Sequence, residues 1–144
     1  DVLLDATMWL AKVNLSLPDF ATALAHAQSL LRTATEVGNK QYLGVALCLL
    51  GTTLWEQGNV QQGKERLTES LRVLEETENK VELGRTCYEL GRRLLRQPAD
   101  AAEGRAYLER AAAIFGKAGA RKDLEQVTAL LNPPAGSCAS IYRA

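Results

Sequence analysis

Hydrophobic residues recur along most of this chain at the three- and four-residue spacing of an amphipathic α-helix. Leu83, Cys87, Leu90 and Leu94, for example, fall on a single apolar stripe. Ala, Leu, Glu, Gln and Arg dominate the sequence, and it has no runs of β-branched residues. The pattern therefore predicts an all-α fold.

Short breaks divide this pattern at regular intervals, and each contains Gly, Asn, Asp or Pro, the residues that commonly cap or end helices. The breaks are Leu17-Pro18-Asp19, Gly38-Asn39, Gly58-Asn59, Glu78-Asn79, Gln97-Pro98, Gly119-Ala120 and Asn132-Pro133. They predict seven helices in antiparallel hairpins with short turns. The predicted helices span residues 2–16, 19–37, 40–57, 60–77, 80–96, 100–117 and 121–131.

Two stretches of the chain repeat one skeleton. NKQYLGVALCLLGTTL begins at Asn39, and NKVELGRTCYELGRRL begins forty residues later at Asn79. Both keep Asn-Lys, two Leu-Gly pairs and a final Leu, whereas every other position differs. We interpret the shared residues as the ones that hold the fold, with Gly51 and Gly91 allowing a neighbouring helix to approach closely. The rewritten positions are then expected to face outward or into a groove.

Aligned on the Leu-Gly pair, the repeats resemble the tetratricopeptide repeat, whose signature is Trp-x2-Leu-Gly-x2-Tyr followed by Ala-x3-Phe. The corresponding segments are Thr7-x2-Leu10-Ala11-x2-Asn14, Leu47-x2-Leu50-Gly51-x2-Leu54 and Cys87-x2-Leu90-Gly91-x2-Leu94. The period is 40 residues, against about 34 in the family, and the terminal proline is missing. In both respects the chain looks like the longer-helix variety of Pins-type scaffolds, kinesin light chains and bacterial regulators of the MalT or cyclase kind.

This resemblance implies a right-handed α-solenoid of three helical hairpins with a C-terminal capping helix. The repeat domain would span residues 1–131, with repeats at about 1–38, 39–78 and 79–119 and the cap at 121–131, followed by a flexible tail over 132–144. In the family, the first helix of each repeat lines a concave groove. The partner-binding positions that this implies are Met8, Lys12, Cys48, Thr52, Trp55, Arg85, Tyr88, Arg92 and Arg96.

Composition narrows the classes of function. The chain has 144 residues, 47% of them hydrophobic, and its 17 basic residues balance 17 acidic ones, so no net field attracts nucleic acid or an anionic membrane. No apolar run approaches the roughly 20 residues that a membrane span needs. The chain begins at Asp1 without a signal peptide, and it has three cysteines at unrelated spacings. We therefore expect part of a larger protein in the reducing cytoplasm.

The sequence has no residue pattern typical of a catalytic, cofactor-binding or metal-binding site. His26 is the single histidine, so a histidine-based metal cluster cannot form. The segment from Gly58 to Lys64 matches most of a P-loop, but Glu65 follows where the loop needs Ser or Thr for magnesium. The sequence thus predicts no enzyme, no cofactor and no metal site.

A basic stripe on the fifth predicted helix carries the functional hypothesis. Arg85, Tyr88, Arg92 and Arg96 are spaced to share one face, and such a face predicts binding of an acidic or carboxylate-bearing segment. The alternative is that Arg85 and Arg92 form ordinary surface bridges with glutamates on the same helix, Glu82 and Glu89.

We therefore expect a protein–protein interaction module, scaffolding or regulatory, that binds a peptide, another protein or another domain of the same polypeptide. Two alternatives remain open at this point. One is a small-ligand sensor domain of a bacterial signalling or transcription regulator, which predicts an apolar cavity. The other is an oligomerisation module, which predicts self-association through an apolar patch on a terminal hairpin.

Overall fold

The computed structural model describes residues 4–6, 8, 9 and 19–133, and all the regular secondary structure in these residues is helical. The first helix, α1, is described at residues 4–6, 8 and 9. The others are α2 (Phe20–Val37), α3 (Lys40–Glu56), α4 (Val60–Glu75), α5 (Val81–Leu95), α6 (Ala101–Ala118) and α7 (Arg121–Leu131). The all-α prediction is confirmed, and the predicted bounds of α2 to α7 agree within two residues.

The helices begin and end at the predicted breaks because local hydrogen bonds satisfy their terminal backbone groups. Asp19 caps α2 by accepting a hydrogen bond from the Thr22 N–H at 3.1 Å. Asn39 caps α3 in the same way, with the Tyr42 N–H at 3.1 Å. At the other end of α2, Gly38 adopts a left-handed conformation with φ of 76°, which favours glycine.

The chain forms two compact units, Asp1–Glu82 and Leu83–Ala144. In the first unit, α2 and α4 both pack on α3, and the core contains Leu30, Leu50 and Leu67. In the second unit, the largest buried side chain is Phe115 of α6. Leu131 is buried at the end of α7, which packs on α6.

The first unit brings α3 and α4 together at a pair of glycines. A Cβ built on Gly51 would lie 2.9 Å from the carbonyl oxygen of Gly63, and one built on Gly63 would lie 2.7 Å from the Gly51 oxygen. A second contact is made where a Cβ on Gly44 would lie 2.3 Å from Leu74 Cγ. Beside it, the buried Ser70 hydroxyl donates to the Gly44 carbonyl at 2.6 Å. The backbones are therefore too close for larger residues.

The second unit uses the equivalent residues for α5 and α6. A Cβ on Gly91 would lie 2.9 Å from the Gly104 oxygen, and one on Gly104 would lie 2.7 Å from the Gly91 oxygen. The second contact recurs as well, since a Cβ on Gly84 would lie 2.7 Å from Phe115 Cε1. The predicted packing role of Gly51 and Gly91 is confirmed, and the sequence repeat corresponds to a repeated helix pair.

Candidate functional site

The polar face of α5 carries most of the predicted partner-binding residues of the second unit. The Arg85 side chain is 43% exposed and the Arg92 side chain 32% exposed. Arg96, the residue after the end of α5, is exposed, and Tyr88 is half-buried. Their spacing places them on one side of the helix, as the sequence pattern predicted.

Arg92 is held on two sides by residues of its own helix. Its Nε donates a hydrogen bond to Glu89 Oε2 at 3.1 Å. Its guanidinium carbon lies 5.7 Å from the centre of the Tyr88 ring, a distance at which a cation is attracted to the aromatic face. In the described part of the chain, its two terminal nitrogens make no hydrogen bond or ion pair. These nitrogens are the forked donors that a guanidinium offers to a carboxylate.

The Glu89 carboxylate is also bound by a buried arginine, Arg93. Arg93 is 3% exposed, and its Nη1 donates both to Glu89 Oε2 and, at 3.0 Å, to the Glu89 backbone carbonyl. The same carboxylate oxygen of Glu89 therefore accepts from Arg92 on one side and from Arg93 on the other. Arg93 was not among the residues predicted from the sequence. The sequence signal for its burial was the repeat, because the counterpart of Arg93 is Thr53, which follows an apolar run on α3.

Arg85 has a partner in its own unit. Its Nη2 lies 3.5 Å from Asp123 Oδ2 in the first turn of α7, where a carboxylate is favoured by the helix dipole. At the other end of α7, Arg105 Nη1 donates to the Leu131 carbonyl at 3.3 Å. The ion pair between Arg92 and Glu89, which the surface-bridge alternative predicted, is also present. Arg85 and Arg92 thus both have structural partners, and Arg92 keeps donors beyond them.

The predicted residues of the first unit differ in accessibility. Met8 is half-buried and packs against the core cluster of that unit, and Cys48 and Trp55 are also half-buried. Lys12 lies outside the described residues.

Thr52 is the least accessible of the predicted residues described in this unit. It is 1% exposed, and its hydroxyl donates to the Leu49 carbonyl at 3.0 Å in the preceding turn. Because this hydroxyl is buried and bonded to its own helix, Thr52 is not part of the surface proposed below. Its role is to pack α3 into the core.

An open surface cavity of about 410 Å³ lies along α4 in the first unit. Its lining residues have polar or charged side chains, and none of them is a predicted partner-binding residue. The lining residues are Gln61, Lys64, Glu65, Thr68, Glu69 and Arg72.

Within residues 4–6, 8, 9 and 19–133, no three His, Cys, Asp or Glu side chains come together as a set of metal ligands. Over the same ranges, no helix combines the length and the apolar character needed to cross a membrane. Cys48 and Cys87 are both thiols, the latter buried.

The comparisons with known proteins give no relative for this chain: no family model, no curated protein and no solved structure matches it.

Proposed function

We propose that this chain is a protein–protein interaction module of tetratricopeptide-like repeats, which binds an acidic segment of a partner through the α5 surface. We define the α5 surface as Tyr88, Arg92 and Arg96. The observation that carries the proposal is the state of Arg92, which is fixed by Glu89 and Tyr88 while its terminal nitrogens remain available. The partner segment belongs to another protein or to another domain of the same polypeptide.

A carboxylate suits this surface chemically. The planar guanidinium of Arg92 can donate two parallel hydrogen bonds to one carboxylate. Arg96 follows one helical turn later, so a second acidic residue of the partner can pair with it. Hydrogen bonds to charged groups contribute about 1.5–3 kcal/mol each, more than the roughly 0–1 kcal/mol of an exposed surface bridge.

The repeated helix pair supports an interaction role. The residues that α3/α4 and α5/α6 share are packing residues, as the glycine contacts indicate. The rewritten positions include the arginines of α5. Packing residues that recur from repeat to repeat are typical of solenoid repeat proteins, which bind partners along extended faces. The architecture we propose is accordingly a solenoid of three hairpins and a capping helix, in a cytoplasmic regulatory protein.

The test compares the native chain with the double variant Arg92→Ala/Arg96→Ala. Binding of a fluorescent glutamate-rich peptide and of its glutamine counterpart is measured by anisotropy at several salt concentrations. We expect the native chain to prefer the glutamate peptide and to bind it more weakly as salt rises. The double variant should lose at least about tenfold in affinity for each arginine, since 1.4 kcal/mol corresponds to tenfold.

The matched control is Arg32→Ala/Arg72→Ala, which removes two arginines from the surfaces of α2 and α4 and changes the net charge equally. This control should bind the peptide like the native chain, and all three proteins should unfold at similar denaturant concentrations. Equal loss in both double variants would show a general charge effect. Loss of stability without loss of binding in Arg92→Ala/Arg96→Ala would assign these arginines to the scaffold.

A further inference from the structure

We infer that Glu89 and Arg93 form a positioning pair, which presets the Arg92 side chain for an acidic ligand. The inference rests on the proposed function of the α5 surface and adds the residues that give it its geometry. Neither Glu89 nor Arg93 need touch the ligand. Their effect is exerted through the orientation of the Arg92 guanidinium.

The geometry places the three side chains in series. Arg93, at 3% exposed, holds the Glu89 carboxylate from the buried side. That carboxylate accepts from Arg92 Nε at 3.1 Å, and the Tyr88 ring flanks the same guanidinium. Because Nε is fixed, the plane of the guanidinium is restricted and its terminal nitrogens keep one direction.

The other helix pair has no ion pair at the equivalent positions. Forty residues earlier, the equivalent positions on α3 hold Leu49 and Thr53, which are 6% and 1% exposed. The Thr53 hydroxyl donates to the Leu49 carbonyl at 2.7 Å, and in α5 Arg93 donates to the corresponding carbonyl of Glu89. One helix pair therefore packs with an apolar residue and a hydroxyl where the other has two opposite charges.

Placing an arginine in the interior is unfavourable for a helix that could pack without it. Desolvation of a buried charge opposes its attraction to a partner, and replacing such pairs by well-packed apolar residues is often neutral or stabilising. The pair at Glu89 and Arg93 is thus better explained by what it does to Arg92 than by packing. A long arginine side chain loses conformational freedom on binding, and a preset one has less to lose.

The experiment exchanges the pair for the residues that the chain already uses at the equivalent positions. The variant Glu89→Leu/Arg93→Thr leaves the net charge unchanged, so long-range attraction of an acidic peptide is preserved. The matched control is Glu69→Leu/Arg66→Thr, which makes the same residue changes in an exposed pair of α4, where Arg66 Nη1 lies 2.9 Å from Glu69 Oε2. Both are made in the full chain.

The first measurement needs no ligand. Nitrogen relaxation of the Arg92 Nε–H group, recorded by NMR on the free protein, reports whether its side chain is ordered. We expect an ordered Arg92 in the native chain and in the α4 control, and a mobile one in Glu89→Leu/Arg93→Thr, with the fold retained in all three. Equal order of Arg92 in all three proteins would overturn the inference.

The second measurement is the affinity for the glutamate-rich peptide in the presence and absence of Arg92. We expect Glu89→Leu/Arg93→Thr to weaken binding roughly 3- to 10-fold, the range expected for ordering one side chain. The same exchange should have no effect in an Arg92→Ala background. A loss of the same size in that background would refute the inference, because the pair would then act without Arg92.

The two proposals fail in different ways. If the native chain binds the glutamate and glutamine peptides equally, the proposed function is wrong, and the claim that the pair serves ligand binding is overturned with it. If the native chain binds the glutamate peptide through Arg92 and the exchange changes neither order nor affinity, the function stands and the positioning role is wrong.

Discussion

The helices α3 and α5 are copies of one sequence skeleton, yet they are embedded differently. The two helices bury similar numbers of residues, nine on α3 and eight on α5, but the buried residues of α3 include Val45 and Thr52. Their counterparts on α5, Arg85 and Arg92, keep 43% and 32% of their side chains exposed. Equivalent positions of a repeat therefore share a place on the helix without sharing an environment. The proposed recognition surface lies on α5, because Arg85 and Arg92 remain partly exposed there although other rewritten positions, such as Cys87, are buried.

The largest expected effect tests what the two helix pairs have in common. Gly104→Ala in α6 and Gly63→Ala in α4 each add a Cβ that would lie within 2.7 Å of a backbone atom, the Leu95 nitrogen or the Gly51 oxygen. Backbone cannot move aside cheaply, so we expect each change to lower the free energy of unfolding by about 2–3 kcal/mol, as overpacking does. Chemical denaturation followed by far-UV circular dichroism measures it.

The control for this prediction lies on the same helix as Gly104. A Cβ on Gly116 would meet nothing within 4 Å, so Gly116→Ala should gain about 0.5–1 kcal/mol from the better helix propensity of alanine. Two results would contradict a shared packing rule for α3/α4 and α5/α6. One is a loss of stability in Gly116→Ala, and the other is a loss of stability in Gly104→Ala without one in Gly63→Ala.

The second-largest expected effect concerns Glu89 and Arg93, where the helix pair α5/α6 differs from α3/α4. Glu89→Leu alone leaves the buried Arg93 without this carboxylate, and we expect it to lower the free energy of unfolding by about 2 kcal/mol. This is less than the roughly 3–5 kcal/mol of a fully buried pair, because Glu89 is 26% exposed. Adding Arg93→Thr should restore the loss, since that combination matches the residues of α3.

Denaturation of the single and double variants measures this difference. A double variant as unstable as Glu89→Leu would mean that α5 needs its ion pair for packing. Leu49 and Thr53 would then suit only the surroundings of α3, and they could not replace the ion pair of α5.

The helices and their bounds were largely predictable because their signals are local. Capping residues such as Asp19 and Asn39 act within three residues of themselves, and Gly38 ends α2 by its own backbone conformation. The glycine contacts were predictable for a second reason, since the repeat of Gly51 at Gly91 marked both positions as shared.

The site was less predictable because accessibility depends on neighbours distant in sequence. The helical spacing placed Thr52 and Arg92 at equivalent positions, but spacing says nothing about what covers each face. Arg85 has a partner in Asp123 on α7, and no pattern within α5 points to this residue. The burial of Arg93 was not predicted because an arginine beside Arg92 is ordinarily a surface residue, whereas here it is 3% exposed.

The smallest expected effect concerns the loss of stability in acid. It is tested at two helix starts, one in each unit. Hydrogen bonds from the Thr22 hydroxyl, at 2.6 Å, and from the Thr22 backbone N–H lower the pKa of the Asp19 carboxyl below its ordinary value of 3.8. In the second unit, Asp100 precedes α6, but its side chain makes no capping hydrogen bond.

The direction of the effect follows from the lowered pKa of Asp19. The folded chain binds the Asp19 proton more weakly than the unfolded chain does, so this stabilisation is present above the ordinary pKa and is lost as the pH falls through the folded value. An asparagine in place of Asp19 would still cap α2 by accepting a hydrogen bond but would not titrate. We therefore expect Asp19→Asn to make the fall in unfolding free energy below about pH 4 shallower. Asp100→Asn makes the same change of charge at a helix start that has no side-chain capping hydrogen bond. Denaturant titrations at a series of acidic pH values measure both slopes. Equal changes in the two variants would attribute the acid sensitivity to net charge, whereas a change confined to Asp19→Asn would attribute it to the capping hydrogen bonds of α2.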